Sequence, residues 1–422
     1  YIMNFSKESS DLMRFFINNF HKLSTNKSST RQLNTDKLLS IIYDDIKISS
    51  RAIEIIMNDE QYNKKQVLVN TNTKLPSTNL LDSSFVPENI KNKITNVKKY
   101  IEIDCKIFNK NVKIFMFLFN NDNIDRYDIY IKNILIVIRV LLLYANDKSG
   151  SLSIYLYLTE ETKNLPTNSL NILSKENCNT AVTTACDNNG SILIYRKEEW
   201  FKVLIHELFH NLCLDLNGIR HDNIKNKFIE LFNIKTDMEI SESYAEFWAT
   251  IINCCFCSYY LLDDPCDKKS FLLYVEFCIE FERTFSLFQA IKVLDFMGLN
   301  YSELISNNNE NKILKTTLYR EKTNVFTYYI LKMILLYDYD YFLSWCYENN
   351  NLLLKFRKSP KNVLSFYNFV LSTYKTKPLV KKLMKNSELM TMYKKLKDGY
   401  KFPYKEKILK TMRMTICELK LN

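Results

Sequence analysis

The stretch KVLIHELFHNLCLDLNG, Lys202 to Gly218, holds two of the four histidines in a chain of 422 residues. They stand four apart in an apolar run, with Glu207 directly after the first. Residues i and i+4 share one face of an α-helix, with Cβ atoms about 5–6 Å apart. His206 and His210 can therefore reach one ion, and Glu207 sits beside it. A catalytic zinc takes rigid imidazole ligands and keeps one position open for water. A neighbouring carboxylate can take that water's proton. A helix is predicted from about Glu198 to Gly218, with the glycine as its C-cap. The competing reading is a packed helix whose histidines lie among Leu204, Phe209 and Leu212.

Such a site needs a third ligand. In the longer H-E-x-x-H-x-x-G-x-x-H pattern a glycine and a histidine would follow, but Cys213 and Leu216 stand at those positions. Asp215 lies only five residues on; along one continuous helix it meets the site at an awkward angle. ISESYAEFWATII, Ile240 to Ile252, is a better source. Glu242 and Glu246 share a helix face there. One can bind the metal while the other holds a histidine's second ring nitrogen. The plainer reading is a solvated acidic stripe at a helix N-terminus, favoured by the dipole.

H-E-x-x-H followed on a later helix by ESYAE resembles the gluzincin-type zinc metallopeptidases. ESYAE is similar to the E-x-x-A-D of prenyl-protein-processing proteases and their bacterial relatives. The resemblance implies one catalytic Zn2+ held by His206, His210 and Glu242, Glu207 as general base, and Glu246 as the carboxylate behind a histidine. Two departures limit it. Glu246 replaces the commoner Asp, and the multiple transmembrane helices of those proteases are missing. The likeness is to the site rather than to the whole family. IYRKEEWFKVLIHELFHNL, Ile194 to Leu212, also resembles uncharacterised zincin-like proteins of large AT-rich DNA viruses. The resemblance spans residues 150–260.

Around this stretch the sequence reads as α+β. Residues 1–95 form a helical region and linker, of which the aperiodic segment from about 66 to 95 reads as a linker or a draped surface segment. Residues 96–262 form a zincin-like lobe, and 263–422 a helical C-terminal domain. YIEIDCKIF and VKIFMFLF predict a hairpin at Asn109-Lys110. A buried helix covers Asp125 to Ala145, and SLSIYLYLT (Ser151–Thr159) alternates as a strand. TAVTTACDNNGSILIYR predicts two strands around Asn189-Gly190. Either SILIYR or TAVTTAC is expected to form the cleft's edge and pair with extended substrate. Arg196, Glu198, Glu199 and Lys202 read as helix capping and i,i+4 ion pairs. An oxyanion donor is sought among His221, Tyr328 and Tyr329, and nothing in the sequence selects one.

Composition narrows the rest. The net charge is +11, but lysines are spread along amphipathic patterns, so a solvated basic surface is expected rather than a nucleic-acid site. The Lys-rich run Lys377–Lys407 reads as one such helix. Eleven cysteines show no disulfide-framework spacing. They are expected as reduced core thiols, and Cys254-x-x-Cys257 has no second pair to complete a zinc knuckle. Tyr130 to Ala145 is too short and too charged to span a membrane. The chain starts at Tyr1, which reads as a truncated or processed N-terminus. The expected protein is a zinc metallopeptidase, an endopeptidase acting on protein or peptide, cytoplasmic or virion-associated. The alternative is an assembly protein, such as a virion component among other virion proteins, on a zincin fold that no longer cuts.

Overall fold

A computed structural model describes residues 4–23, 32–70, 73–120, 124–219, 222–351, 353–396 and 404–420. The chain is mixed α+β. β1 (Asn63–Leu68), β2 (Lys99–Ile107), β3 (Lys110–Leu118), β4 (Ser151–Thr159), β5 (Ala181–Thr183) and β6 (Asn189–Arg196) form one sheet. Their order is β1-β2-β3-β4-β6-β5. The predicted hairpin is present: β2 and β3 are antiparallel, and Phe108 turns the chain at φ 53°. β3, β4 and β6 are mutually parallel neighbours. Parallel neighbours need a long crossover. Between β3 and β4 it is the helix Asp128–Leu142, whose apolar residues are buried. No helix among the described residues is long and apolar enough to cross a membrane.

Side chains alternate between the sheet's two faces. One face carries Ile101, Ile103, Ile114, Met116, Ile154, Leu156, Ile192 and Ile194, all buried under helices. The other is aromatic. Phe115 stacks on Tyr155 at 5.1 Å and Phe117 on Tyr157 at 4.1 Å, as the β3–β4 register dictates. Val86, Ile90, Ile94 and Val97 close this second face. Of the two readings of 66–95 the draped surface segment holds: its described residues cover this face with their own helix (Glu88–Ile94), and β1 starts before them. Their pattern is aperiodic because only a few apolar side chains touch the sheet.

Three expectations need correction. Asn189 and Gly190 are not a two-residue turn; both lie inside β6, and the β5–β6 connection is residues 184–188. Gly190 is there because the helix above comes too close for a side chain. A Cβ would meet Asn211 Nδ2 at 2.1 Å and Thr184 Oγ1 at 2.8 Å. The helix of the opening stretch spans Trp200–Asn211 and stops before Gly218. Cys213 takes the left-handed conformation (φ 56°) and turns the chain first. Cysteine was not expected in that role, and its side chain accounts for it: Cys213 forms a disulfide with Cys186. Not every cysteine is therefore a reduced thiol, although nine form no disulfide.

Beyond β6 the chain is helical. The Lys-rich run forms the helix Lys377–Lys395, which buries Leu379, Leu383, Leu389 and Met390 and leaves its lysines outward. Residues from all parts of the chain, among them Leu12, Ile42, Leu141, Phe209, Trp248, Phe288 and Ile416, belong to one apolar cluster.

Candidate metal centre

Two helices bring the site together. The first, Trp200–Asn211, lies on the sheet and buries Leu204, Ile205, Leu208 and Phe209 completely. The second, Ile240–Tyr260, packs on the first, with Phe209 and Trp248 stacked at 6.3 Å. That places the outward face of the first helix against the first turns of the second. His206, His210 and Glu242 meet there.

Nε2 of His206 is 3.0 Å from Nε2 of His210. Oε2 of Glu242 is 3.1 Å from the first and 3.2 Å from the second. Three donors at nearly equal spacing match one face of a tetrahedron. A zinc ion with bonds of about 2.0–2.1 Å sets its ligand atoms about 3.3 Å apart. Two imidazole nitrogens that face one carboxylate oxygen and each other cannot all be satisfied by protons alone. The donor set therefore fits a metal.

The outer nitrogens are also engaged. Nδ1 of His206 lies 2.9 Å from Oε2 of Glu246, although off the axis of an aligned hydrogen bond. Glu246 is 1% exposed and also pairs with the equally buried Lys202. Nδ1 of His210 contacts Oδ2 of Asp215, which accepts a further hydrogen bond from Asn217 Nδ2 at 2.8 Å. Each histidine therefore has its own carboxylate behind it, an arrangement that fixes the ring and raises its basicity.

These charges act on each other. Burial pushes the carboxyl of Glu242 up, but His210 and His206 outweigh it and hold it well below the usual range. Glu246 is depressed likewise, against burial, by Lys202 and His206. Burial disfavours charge on the histidines, yet the carboxylates raise both, His210 strongly. Glu207 differs. Burial raises its carboxyl, and it makes no protein hydrogen bond among the described residues. It is 8% exposed and next to the ligands, with its acceptors uncommitted.

Of the proposed oxyanion donors, Tyr328 lies beside the centre, with its ring 6.0 Å from that of His206. Tyr329 points away and donates to the Met412 carbonyl at 2.6 Å. A π-helical turn, Phe326–Leu331, presents the two neighbours in these different directions. Such turns recur at functional sites. His221 lies outside the described residues.

Sequence reasoning placed Asp215 and Lys202 wrongly. Asp215 is not on the helix: the turn at Cys213 carries it back to His210. Lys202 reaches across to Glu246 rather than along its own helix. Glu199 is the N-cap residue but makes no side-chain cap; its Oε1 accepts Met414 N at 2.7 Å. Arg196 donates to the carbonyls of Thr162 and Glu176. No family model, curated protein or solved structure matches the chain.

Proposed function

We propose that the protein is a zinc-dependent metallopeptidase with a zincin-like lobe built from the sheet and the two site helices. The observation that carries this reading is the triangle of His206 Nε2, His210 Nε2 and Glu242 Oε2, with sides of 3.0–3.2 Å, and Glu207 beside it. When bound, zinc supplies Lewis acidity, polarising a carbonyl and making water nucleophilic near neutral pH. Glu207 takes the proton of the attacking water at its free carboxylate and delivers it to the leaving amine. Glu246 and Asp215 hold the two imidazoles. Tyr328, whose ring lies 6.0 Å from that of His206, is the donor assigned to steady the negative charge that develops on the carbonyl oxygen. β5 is the sheet's edge beside the first helix and pairs with β6 alone. An extended substrate can add to its free side.

Exchanging Glu207 for Gln keeps the ligands and removes the base. The expected result is full zinc content and a fall in cleavage of an unfolded protein substrate by about 10²–10⁴-fold. Undiminished cleavage by Glu207→Gln contradicts the mechanism. Full zinc with no cleavage by the wild type favours the assembly role instead.

A further inference from the structure

The second site helix continues inward from the metal centre. Glu242, Glu246, Thr250 and Cys254 follow one another at i+4 along one face. Cys254 ends that row in the interior, where two other segments meet it. The long helix Lys268–Phe296 brings Glu282, and the extended C-terminal segment brings Cys417. One donor atom from each of Cys254, Glu282 and Cys417 lies within 4.8 Å of the others. All three residues are 0% exposed.

Glu282 shows what is incomplete about this cluster. Its Oε1 accepts the amides of Ile416 at 3.0 Å and Cys417 at 2.8 Å, and the hydroxyl of Thr415. Its Oε2 has no hydrogen-bond partner among the described residues, although it is fully buried. An unpaired carboxylate oxygen in a protein interior is destabilising unless something binds it. Two thiols lie beside it, and Lys332 is the nearby cation. A thiol is a poor hydrogen-bond donor, whereas a thiolate is a strong ligand for zinc. Cys417 Sγ also reaches the carbonyl of Cys278, one turn before Glu282, at 3.7 Å.

We propose a second, structural zinc site made of Cys254, Glu282 and Cys417. Mixed thiolate and carboxylate donors select zinc over magnesium or calcium, which take oxygen alone. Two thiolates, one carboxylate and one divalent ion leave a single negative charge. Lys332, 2% exposed and coupled electrostatically to both Glu282 and Cys254, offsets it. The ion ties the C-terminal segment to the helix that carries Glu242, so it binds as the chain folds. The ligands come from residues 163 apart, which is why Cys254-x-x-Cys257 gave no zinc pattern in the sequence.

Elemental analysis of the full chain, purified without chelator, counts the ions. The expected count is two zinc per chain, falling to one in Glu242→Ala and to one in Cys417→Ser. Cobalt exchanged for zinc separates the sites. Only the Cys254–Cys417 site gives a thiolate-to-cobalt charge-transfer band in the near ultraviolet. That band should survive Glu242→Ala and vanish in Cys417→Ser and in the milder Glu282→Gln. Absence of the band in folded wild type overturns the proposal, whatever the variants do. So does a single zinc that Glu242→Ala removes. A band that persists in a chain without peptidase activity leaves this site standing and refutes only the catalytic reading.

Discussion

His206 shows how much of the site one side chain decides. Its Nε2 faces Glu242 at 3.1 Å, and its Nδ1 faces Glu246 at 2.9 Å. Glu246 is in turn held by Lys202. Ring orientation therefore depends on a buried ion pair that touches no ligand atom of the metal. Replacing Glu246 with Ala is expected to weaken zinc binding by about 10–100-fold, read by competition with a chromophoric chelator. An unchanged affinity removes Glu246 from the account. The helical part of this arrangement was legible in the sequence, because i+4 spacing fixes which residues share a face. The pairs His206–His210 and Glu242–Glu246 follow from that rule, whereas the division of roles between Glu242 and Glu246, and that of Glu207, came from the resemblance. Asp215, Lys202 and Tyr328 follow from neither. Their places depend on a left-handed cysteine, a cross-helix pair and a π-helical turn, none of which has a spacing to read.

The elements carry a second layer of constraint. The first site helix can lie this close to β6 only because position 190 has no side chain. Gly190→Ala forces Asn211 Nδ2 or the strand to move. Overpacking of this kind costs about 1–3 kcal/mol, seen as a lower denaturation midpoint; a wild-type midpoint contradicts the close approach. The sequence suggested a turn at this glycine, and the packing demand that explains it was invisible without the partner helix. The π-helical turn has its own control. Glu321 accepts hydrogen bonds from Thr236, Tyr319 and the amide of Phe326, yet burial pushes its carboxyl up to about 7. A carboxyl raised on folding binds its proton more tightly folded than unfolded. Its contribution to stability therefore falls as pH rises from the ordinary carboxylate value to about 7, and is level above that. The slope is at most about 1.4 kcal/mol per pH unit, and less for this partly exposed group. Denaturant titrations of wild type and Glu321→Gln should diverge through that window. Parallel curves across it would show that Glu321 does not titrate abnormally.

At the scale of the molecule, the C-terminal segment is held in place mainly by side chains. Lys292 and Gln289 donate to the Thr411 carbonyl, Tyr329 to Met412 and Lys332 to Met414. Glu199 and Glu282 accept the amides of Met414 to Cys417. Buried polar groups need such partners, and here both sets lose theirs together. Deleting residues 411–422 leaves Lys292, Lys332, Glu199 and Glu282 without their backbone partners in the interior, although Glu199 keeps Lys163. The expected outcome is an insoluble chain or one without a cooperative unfolding transition. A soluble, cooperatively unfolding truncation contradicts this role. The alternation of strands and the helical rhythm after residue 262 were legible in the sequence. This clamp was not, since an extended segment paired with side chains leaves no periodic trace. Zinc-edge anomalous diffraction from crystals of the full chain reads directly whether an ion sits between the two site helices. The account predicts a peak about 2.0–2.2 Å from His206 Nε2, His210 Nε2 and a Glu242 carboxylate oxygen. No peak there, with the two histidines hydrogen-bonded to each other and to Glu242, would contradict it.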